Sequence, residues 1–306
     1  MKRLISLALL LIPSLLAWSQ KESKSTQKEQ SSLLWKITGN GIKKPSYLFG
    51  TIHMLCEDDA VLGDSLKKAI SNCDNVYLEV QMDNMMEMIG LMGQLTMRGD
   101  TTLADLLSAE DYEKVKNYFE EKGSMLPFSM LETMKPILAA SMLEESSMTC
   151  DKPVAMEQMI MEEAKKKNIG IKGLETMAYQ ASVLDSIPYK YQAMQLLSYI
   201  DSANSGADTD KEFNALLDAY KKQDLDKLEE LMIKSDIGMS AFTDILLYNR
   251  NRNWVEKLKT ILPQKSVVVA VGAGHLPGVK GVINLLRQAG FTVSPVIDKK
   301  QYQKTI

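Results

Sequence analysis

The sequence predicts an α/β (α+β) protein, with a central mixed sheet built from strands near both chain ends and a large helical insertion layered over it. Three observations carry this expectation. Short β-rich runs gather towards the two ends of the chain, whereas stretches with apolar residues three and four apart fill the middle. The 306 residues are 45% apolar and 25% charged, with 9 prolines and 17 glycines, which is ordinary globular composition and excludes collagen, wholesale disorder and a small disulfide scaffold. No short repeat period points to a solenoid.

The first segment stands apart from the fold. Lys2-Arg3 precedes an apolar run from Leu4 to Leu16, followed by Ala17-Trp18-Ser19. Residues 1–19 therefore read as a secretory signal peptide. The run is shorter than the roughly 20 residues needed to cross a bilayer. The expectation is an exported chain, periplasmic or extracellular, with no stable membrane span after cleavage. Residues 20–31 contain only Gln, Lys, Glu, Ser and Thr and read as a flexible polar leader. Residues 32–298 are expected to form a single domain, and 299–306 a polar tail.

Within the domain, Leu33–Thr38 and Ser46–Gly50 flank a Gly39-Asn40-Gly41 turn and predict a hairpin with a long loop. Val76–Val80 reads as a buried strand after a helical pattern over Ala60–Ser71. Ile169–Leu174, Val267–Val271 and Phe291–Ile297 complete the strands. Helical spacing covers 82–97, 109–121, 130–147, 154–167, 175–185, 188–202, 211–221, 223–234, 238–248 and 251–262. A helix start is expected at Asp100-Thr101-Thr102-Leu103, with breaks at Ser124–Pro127 and Ile187-Pro188.

Charge excludes one class of partner. Thirty-six Lys and Arg face 39 Asp and Glu, and no basic block exceeds Lys165-Lys166-Lys167. Loss of Lys2 and Arg3 leaves 34 against 39, a balance of −5. A nucleic-acid binder concentrates positive charge, so none is expected here. Cys56, Cys73 and Cys150 have neither zinc-knuckle nor C-x-x-C spacing. They are expected to be buried or incidental thiols, the alternative being one pair and one free thiol. Among the 20 methionines, Met82, Met85, Met86, Met88, Met92 and Met97 are expected on a core face beneath the helical layer; a methionine-lined substrate groove is the alternative.

The chain has two histidines, and both occupy the frame Gly-x-x-His directly after a β-run: Gly50-Thr51-Ile52-His53 and Gly272-Ala273-Gly274-His275. Strand ends leading into glycine-containing loops are where α/β sheets place functional groups. Imidazoles serve as metal ligands or as acid–base groups. No G-x-S-x-G nucleophile elbow and no H-E-x-x-H helix occurs. Glu79 lies in the apolar run VYLEV, where a carboxylate is costly unless paired or metal-bound. His53, Glu79 and His275 are thus candidate ligands of a divalent metal. The alternative for Glu79 is a salt bridge at a strand end.

Several segments together resemble the TraB/GumN family, whose animal relatives are the Tiki proteins. They are Trp35-Lys36-Ile37, Ser46–His53, Tyr77-Leu78-Glu79, Gly173-Leu174-Glu175-Thr176 with Gln180, Arg250-Asn251 with Trp254, and Gly272–His275. The resemblance spans about residues 33 to 297. Departures fall at Asn249, where the family often has an acidic residue, and at Met156-Glu157, where an Asp is common; either departure weakens a supporting contact if that site is used. The resemblance implies a metal-dependent hydrolase fold with His53, Glu79 and His275 at a divalent metal, Mn, Co or Zn, and peptide cleavage as in the Tiki branch. It casts Glu175, Arg250 and Asn251 as polar supports.

A two-imidazole, one-carboxylate set leaves a position open for water. Glu175 is then a candidate proton acceptor and Arg250 or Asn251 an oxyanion donor. The alternatives are a helix-capping role for Glu175 and a salt bridge to the helical layer for Arg250. The expected substrate is a peptide or small acyl compound. A non-catalytic peptide- or ligand-sequestering protein using the same cleft is the rival reading, and the oligomeric state is left open. Val267–Gly274 superficially resembles a dinucleotide fingerprint, but the third glycine position is Pro277 and too few residues follow Asp298. No nucleotide cofactor is expected.

Overall fold

A valine-rich strand at the centre of the sheet organises the molecule. In the computed structural model, which describes residues 31–122, 126–146, 148, 150, 152–204, 209–234 and 239–297, this strand is Val267–Gly272 (VVVAVG). All but its last residue are buried. A strand covered on both faces reads as a continuous β-branched run rather than an alternating one. The signal peptide, all of the leader but Ser31, and the tail lie outside the described residues.

In chain order the strands are β1 Leu34–Thr38, β2 Ser46–Thr51, β3 Leu55–Cys56, β4 Asn75–Leu78, β5 Pro153–Val154, β6 Gly170–Gly173, β7 Val267–Gly272 and β8 Thr292–Pro295. Six make one mixed sheet in the order β6-β4-β7-β2-β1-β8. β6, β4, β7 and β2 run parallel, β1 returns antiparallel to β2, and β8 lies antiparallel to β1. The expected hairpin is β1–β2, and the mixed sheet from both chain ends is as expected. Chain order crosses repeatedly, so four parallel strands deliver their C-terminal ends to one edge.

β3 and β5 pair separately, Leu55 opposite Val154 and Cys56 opposite Pro153. A Cys56–Cys150 disulfide fastens the same two segments. This corrects the expectation of incidental thiols: one pair forms and Cys73 is the buried free thiol.

Helices cover the sheet. Leu66, Ile70, Ile160, Ala164, Trp254, Leu258, Val282 and Leu286 bury their side chains in the core around the central strands. A second cluster, including Leu103, Val115, Phe119, Leu131, Leu143, Leu196 and Ile200, lies wholly between helices of the insertion. Thr102 opens the expected helix at Leu103, with Asp105 accepting from its backbone N–H at 2.8 Å. Over its described residues, 239–248, the expected α-helix 238–248 is instead a 3₁₀ turn, Met239–Phe242, and a π-helical turn, Asp244–Tyr248, leading into the helix Asn249–Ile261. No helix among the described residues is long and apolar enough to cross a membrane.

The methionine expectation fails on the helix Met85–Met92. Met85 and Met86 are 73% and 78% exposed, and Met82, Met88 and Ile89 are exposed as well; among the group's described side chains only Met97 is buried. Three- and four-residue spacing marks a face but not whether anything packs on it.

Candidate functional site

Each of the four parallel strands ends within three residues of a candidate side chain. β2 leads to His53, β4 to Glu79, β6 to Glu175 and β7 to His275. Glu79 lies one residue past its strand rather than inside it, because pairing stops at Leu78. Two glycines allow the close approach. A Cβ on Gly50 would sit 3.1 Å from Ala273 and Leu276, and one on Gly173 would lie 2.6 Å from the Glu175 carbonyl oxygen. The helix Asn249–Ile261 crosses these strand ends and contributes Arg250, Asn251 and Trp254, all buried.

Arg250 is the hub. Its Nη2 donates to Glu79 Oε2 at 2.5 Å and to Glu175 Oε1 at 2.6 Å, while Nε donates to the same Glu175 oxygen at 3.0 Å. Nη1 donates to the Leu246 carbonyl at 2.9 Å and lies 3.3 Å from His275 Nε2. Glu175 Oε2 accepts from Trp254 Nε1 at 2.9 Å. The Trp254 ring lies against His275, with centroids 4.5 Å apart. Glu79 Oε1 accepts from the Gly272 N–H at 2.8 Å, and Oε2 also takes Gln180 Nε2 at 3.2 Å.

This pattern assigns the imidazole tautomers. Asn251 Nδ2 donates to the carbonyls of Lys280, at 2.9 Å, and His275, at 3.3 Å. Its Oδ1 is therefore the acceptor facing His275 Nδ1 at 2.6 Å. His275 carries its proton on Nδ1, and the Nε2 lone pair points towards Arg250 and Glu79. At the other loop, Glu157 Oε1 accepts from Thr51 Oγ1 at 2.7 Å and from His53 Nδ1 at 3.1 Å. Fixing one ring nitrogen so that the other is presented to a ligand is the arrangement that supports metal-binding histidines.

Electrostatics separates the two rings. The Glu157 hydrogen bond raises His53 to about 8, although its side chain is 78% exposed. Burial, with Arg250 nearby, lowers His275 to about 4, so it is neutral at pH 7. Burial pushes the Glu79 carboxyl up. The charge of protonated His275, the Arg250 guanidinium and the Gly272 N–H outweigh this and hold it at about 2. With His275 neutral at pH 7, Arg250 and Gly272 keep Glu79 ionised. Burial raises Glu175 despite its bonds to Arg250 and Trp254.

The structure thus brings Glu79, Glu175, Arg250, Asn251 and His275 into direct contact and places His53 within electrostatic reach of Glu79 and His275. The salt-bridge alternative for Glu79 is what the contacts display. Capping does not explain Glu175, because Thr176 caps the next helix by accepting from the Tyr179 N–H. Asn251's amide is fully engaged, which leaves it no free donor for an oxyanion. Glu157, expected as a weakening departure, is the group that orients His53. Asn249 is exposed and bonded to Arg252, away from the site. Gln180 was read only as part of the family motif, and its bond to Glu79 had no local signal.

The donors have the chemistry of a divalent-ion site: two imidazoles with presented nitrogens and a carboxylate ionised far below neutrality. As arranged, no three His, Cys, Asp or Glu side chains among the described residues are grouped to hold an ion. Arg250 takes the positions facing Glu79 Oε2 and His275 Nε2. Beside this cluster opens a cleft of about 630 Å³, lined by Gln81, Glu87, Glu175, Tyr179, Trp254 and Lys257 among others.

The family model for TraB/PrgY/gumN matches residues 33–295. The chain belongs to the TraB/PrgY/gumN family. Relatives include the Metalloprotease TIKI2 of Xenopus tropicalis, 22% identical over 88% of this chain and 60% of that protein. The human Metalloprotease TIKI1 is 23% identical over 89% of this chain and 63% of its own length. The uncharacterized protein YbaP of Escherichia coli K12 is 22% identical over 79% of this chain and 87% of its length. The chain spans less than two thirds of the length of these two Tiki relatives. No solved structure is a significant match.

Proposed function

We propose that this family member is an exported metal-dependent hydrolase acting on peptide or related acyl bonds. The carrying observation is the convergence of four parallel strand ends on two imidazoles, each with Nδ1 held by a side-chain acceptor, around an ionised buried carboxylate. The Metalloprotease names of the Tiki relatives support the same class. His53, His275 and Glu79 are the residues that would hold a divalent ion. When bound, it would supply Lewis-acid polarisation of a carbonyl and a lowered water pKa.

The chain's own groups supply the rest. Glu157 holds His53 Nδ1, which leaves Nε2 as the atom His53 would offer to the ion. Asn251 keeps His275 in one tautomer. Glu175 and Trp254 hold Arg250 so that its positive charge faces Glu79 and His275. The 630 Å³ cleft beside Glu175 and Trp254, which His53, Glu79 and His275 do not line, is of the size that accommodates a few residues of a peptide or a small acyl compound.

The test is a peptide-library digestion read by mass spectrometry, with Mn²⁺, Co²⁺ or Zn²⁺ added after chelation. Metal-dependent cleavage, lost in His53→Ala, is expected. The rival reading, a non-catalytic peptide- or ligand-binding protein, draws on the closed Arg250–Glu79 pair. Saturable peptide binding with no cleavage under any metal would replace the hydrolase reading with it.

A further inference from the structure

The contacts of Arg250 are unequal. Its guanidinium gives Glu175 two hydrogen bonds, from Nε and Nη2, and gives the Leu246 carbonyl one from Nη1. Glu79 receives a single bond, from Nη2, and the contact with His275 Nε2 is the longest of the set at 3.3 Å. The bond to Glu79 is the shortest of the set at 2.5 Å but stands alone, whereas Glu175 and Leu246 together take three hydrogen bonds. The more fully bonded seat is on the far side, where Trp254 also holds Glu175 and stacks under the guanidinium, 4.8 Å from ring centroid to Cζ.

The backbone is shaped for that seat. The π-helical turn Asp244–Tyr248 runs directly into the helix that bears Arg250, with the Asn249 N–H reaching back to the Asp244 carbonyl. Leu246 presents its carbonyl to Arg250 Nη1 within this turn. Such one-residue widenings of a helix occur often at functional sites. Arg250 therefore keeps two partners, Glu175 and Leu246, without Glu79.

The geometry points to Arg250 as a resident cation that a divalent metal must displace from Glu79 and His275, with the Glu175–Leu246–Trp254 seat retaining it afterwards. This rests on reading His53, Glu79 and His275 as the ligands, and assigns Arg250 control of their affinity. In the metal-free protein the guanidinium neutralises Glu79 and caps the His275 lone pair, so that neither is left buried and unpaired. On binding, it exchanges those two contacts for a place beside the new positive charge, held by Glu175. Arg250 is then a positioning residue, and metal affinity is set by a competition between two cations for one carboxylate. A purely structural Arg250, propping Glu79 in place, makes the opposite demand: its removal should weaken binding.

Cobalt(II) separates these. The purified protein and its Arg250→Met, Arg250→Lys and Glu175→Gln variants are titrated with Co²⁺, followed by visible ligand-field absorption and by calorimetry. Arg250→Met is expected to bind about tenfold more tightly or better, with band positions unchanged because the ligands are the same. Glu175→Gln, which weakens the retreat seat, is expected to bind more weakly. Arg250→Lys keeps the charge but cannot bridge both carboxylates and Leu246 at once, and is expected to fall between wild type and Arg250→Met; it decides the matter if Arg250→Met does not fold.

Equal or weaker Co²⁺ binding in the Arg250 variants, with the wild type binding, overturns the displacement idea alone. No Co²⁺ binding in the folded wild type or in any variant overturns the metal reading, and the displacement idea with it.

Discussion

The two Gly-x-x-His loops share a sequence frame, a place after a parallel strand and a hydrogen-bonded Nδ1, yet they hold their rings in opposite electrostatic states. His53 keeps 78% of its side chain exposed and faces a carboxylate, Glu157. His275 keeps 5% and faces a neutral amide, Asn251. The first is raised to about 8 by its partner, and the second is lowered to about 4 by burial. A motif therefore fixes where a histidine sits but not what it does at pH 7; partner charge and solvent access decide that. One site thus acquires a ring that must shed a proton near neutrality to offer its Nε2 lone pair and another that stays neutral.

The largest effect is expected at the buried loop. Asn251→Leu leaves His275 Nδ1–H and the Lys280 and His275 carbonyls without their partners, at about 1–3 kcal/mol for each group that stays dry. Urea unfolding should show a loss of several kcal/mol, and a loss below about 0.5 kcal/mol, the usual range at uninvolved surface positions, would mean that this network does not anchor His275.

Acid sensitivity comes next. His275 is depressed in the fold, so the unfolded chain binds its proton first, near 6.5. Its contribution is present above about 6.5 and is lost as pH falls towards 4. Glu79, held at about 2, adds a second loss below its ordinary 4.5. The slope between pH 6 and 4.5 should approach about 1.4 kcal/mol per pH unit for this one proton, and His275→Gln should flatten it.

The exposed loop gives the smallest effect. By NMR titration His53 is expected near 8, and Glu157→Gln should bring it back towards its ordinary 6.5. The sign for stability is opposite to that of His275: the His53–Glu157 contribution is full below 6.5 and is lost as pH rises through about 8. An unchanged His53 in Glu157→Gln would show that Glu157 is not its partner in solution.

What was legible in the residues was whatever local pattern determines. The run VVVAVG announces a central parallel strand because both its faces are buried. The paired frames at His53 and His275 stood out because backbone close to a site needs glycine, as Gly50 shows. Long-range pairings were not legible. Glu79 and Arg250 are 171 residues apart, and nothing local to either names the other. The β3–β5 ladder has two residues per strand and is held by a disulfide across 94 positions, too short to pattern. Glu157 became a partner only because its helix starts beside Thr51. The exposed Met85 and Met86 show the same limit from the other side, since periodicity could not tell a covered face from an open one.

The central claim is that the two unlike histidines serve one ion. Elemental analysis of the purified protein, after chelation and reloading with Mn²⁺, Co²⁺ and Zn²⁺, tests it most directly when His53→Ala and His275→Ala run beside the wild type. The account predicts about one bound ion per wild-type chain and none retained in either folded variant. Full occupancy in a single variant, or a folded wild type that retains no ion, would contradict it.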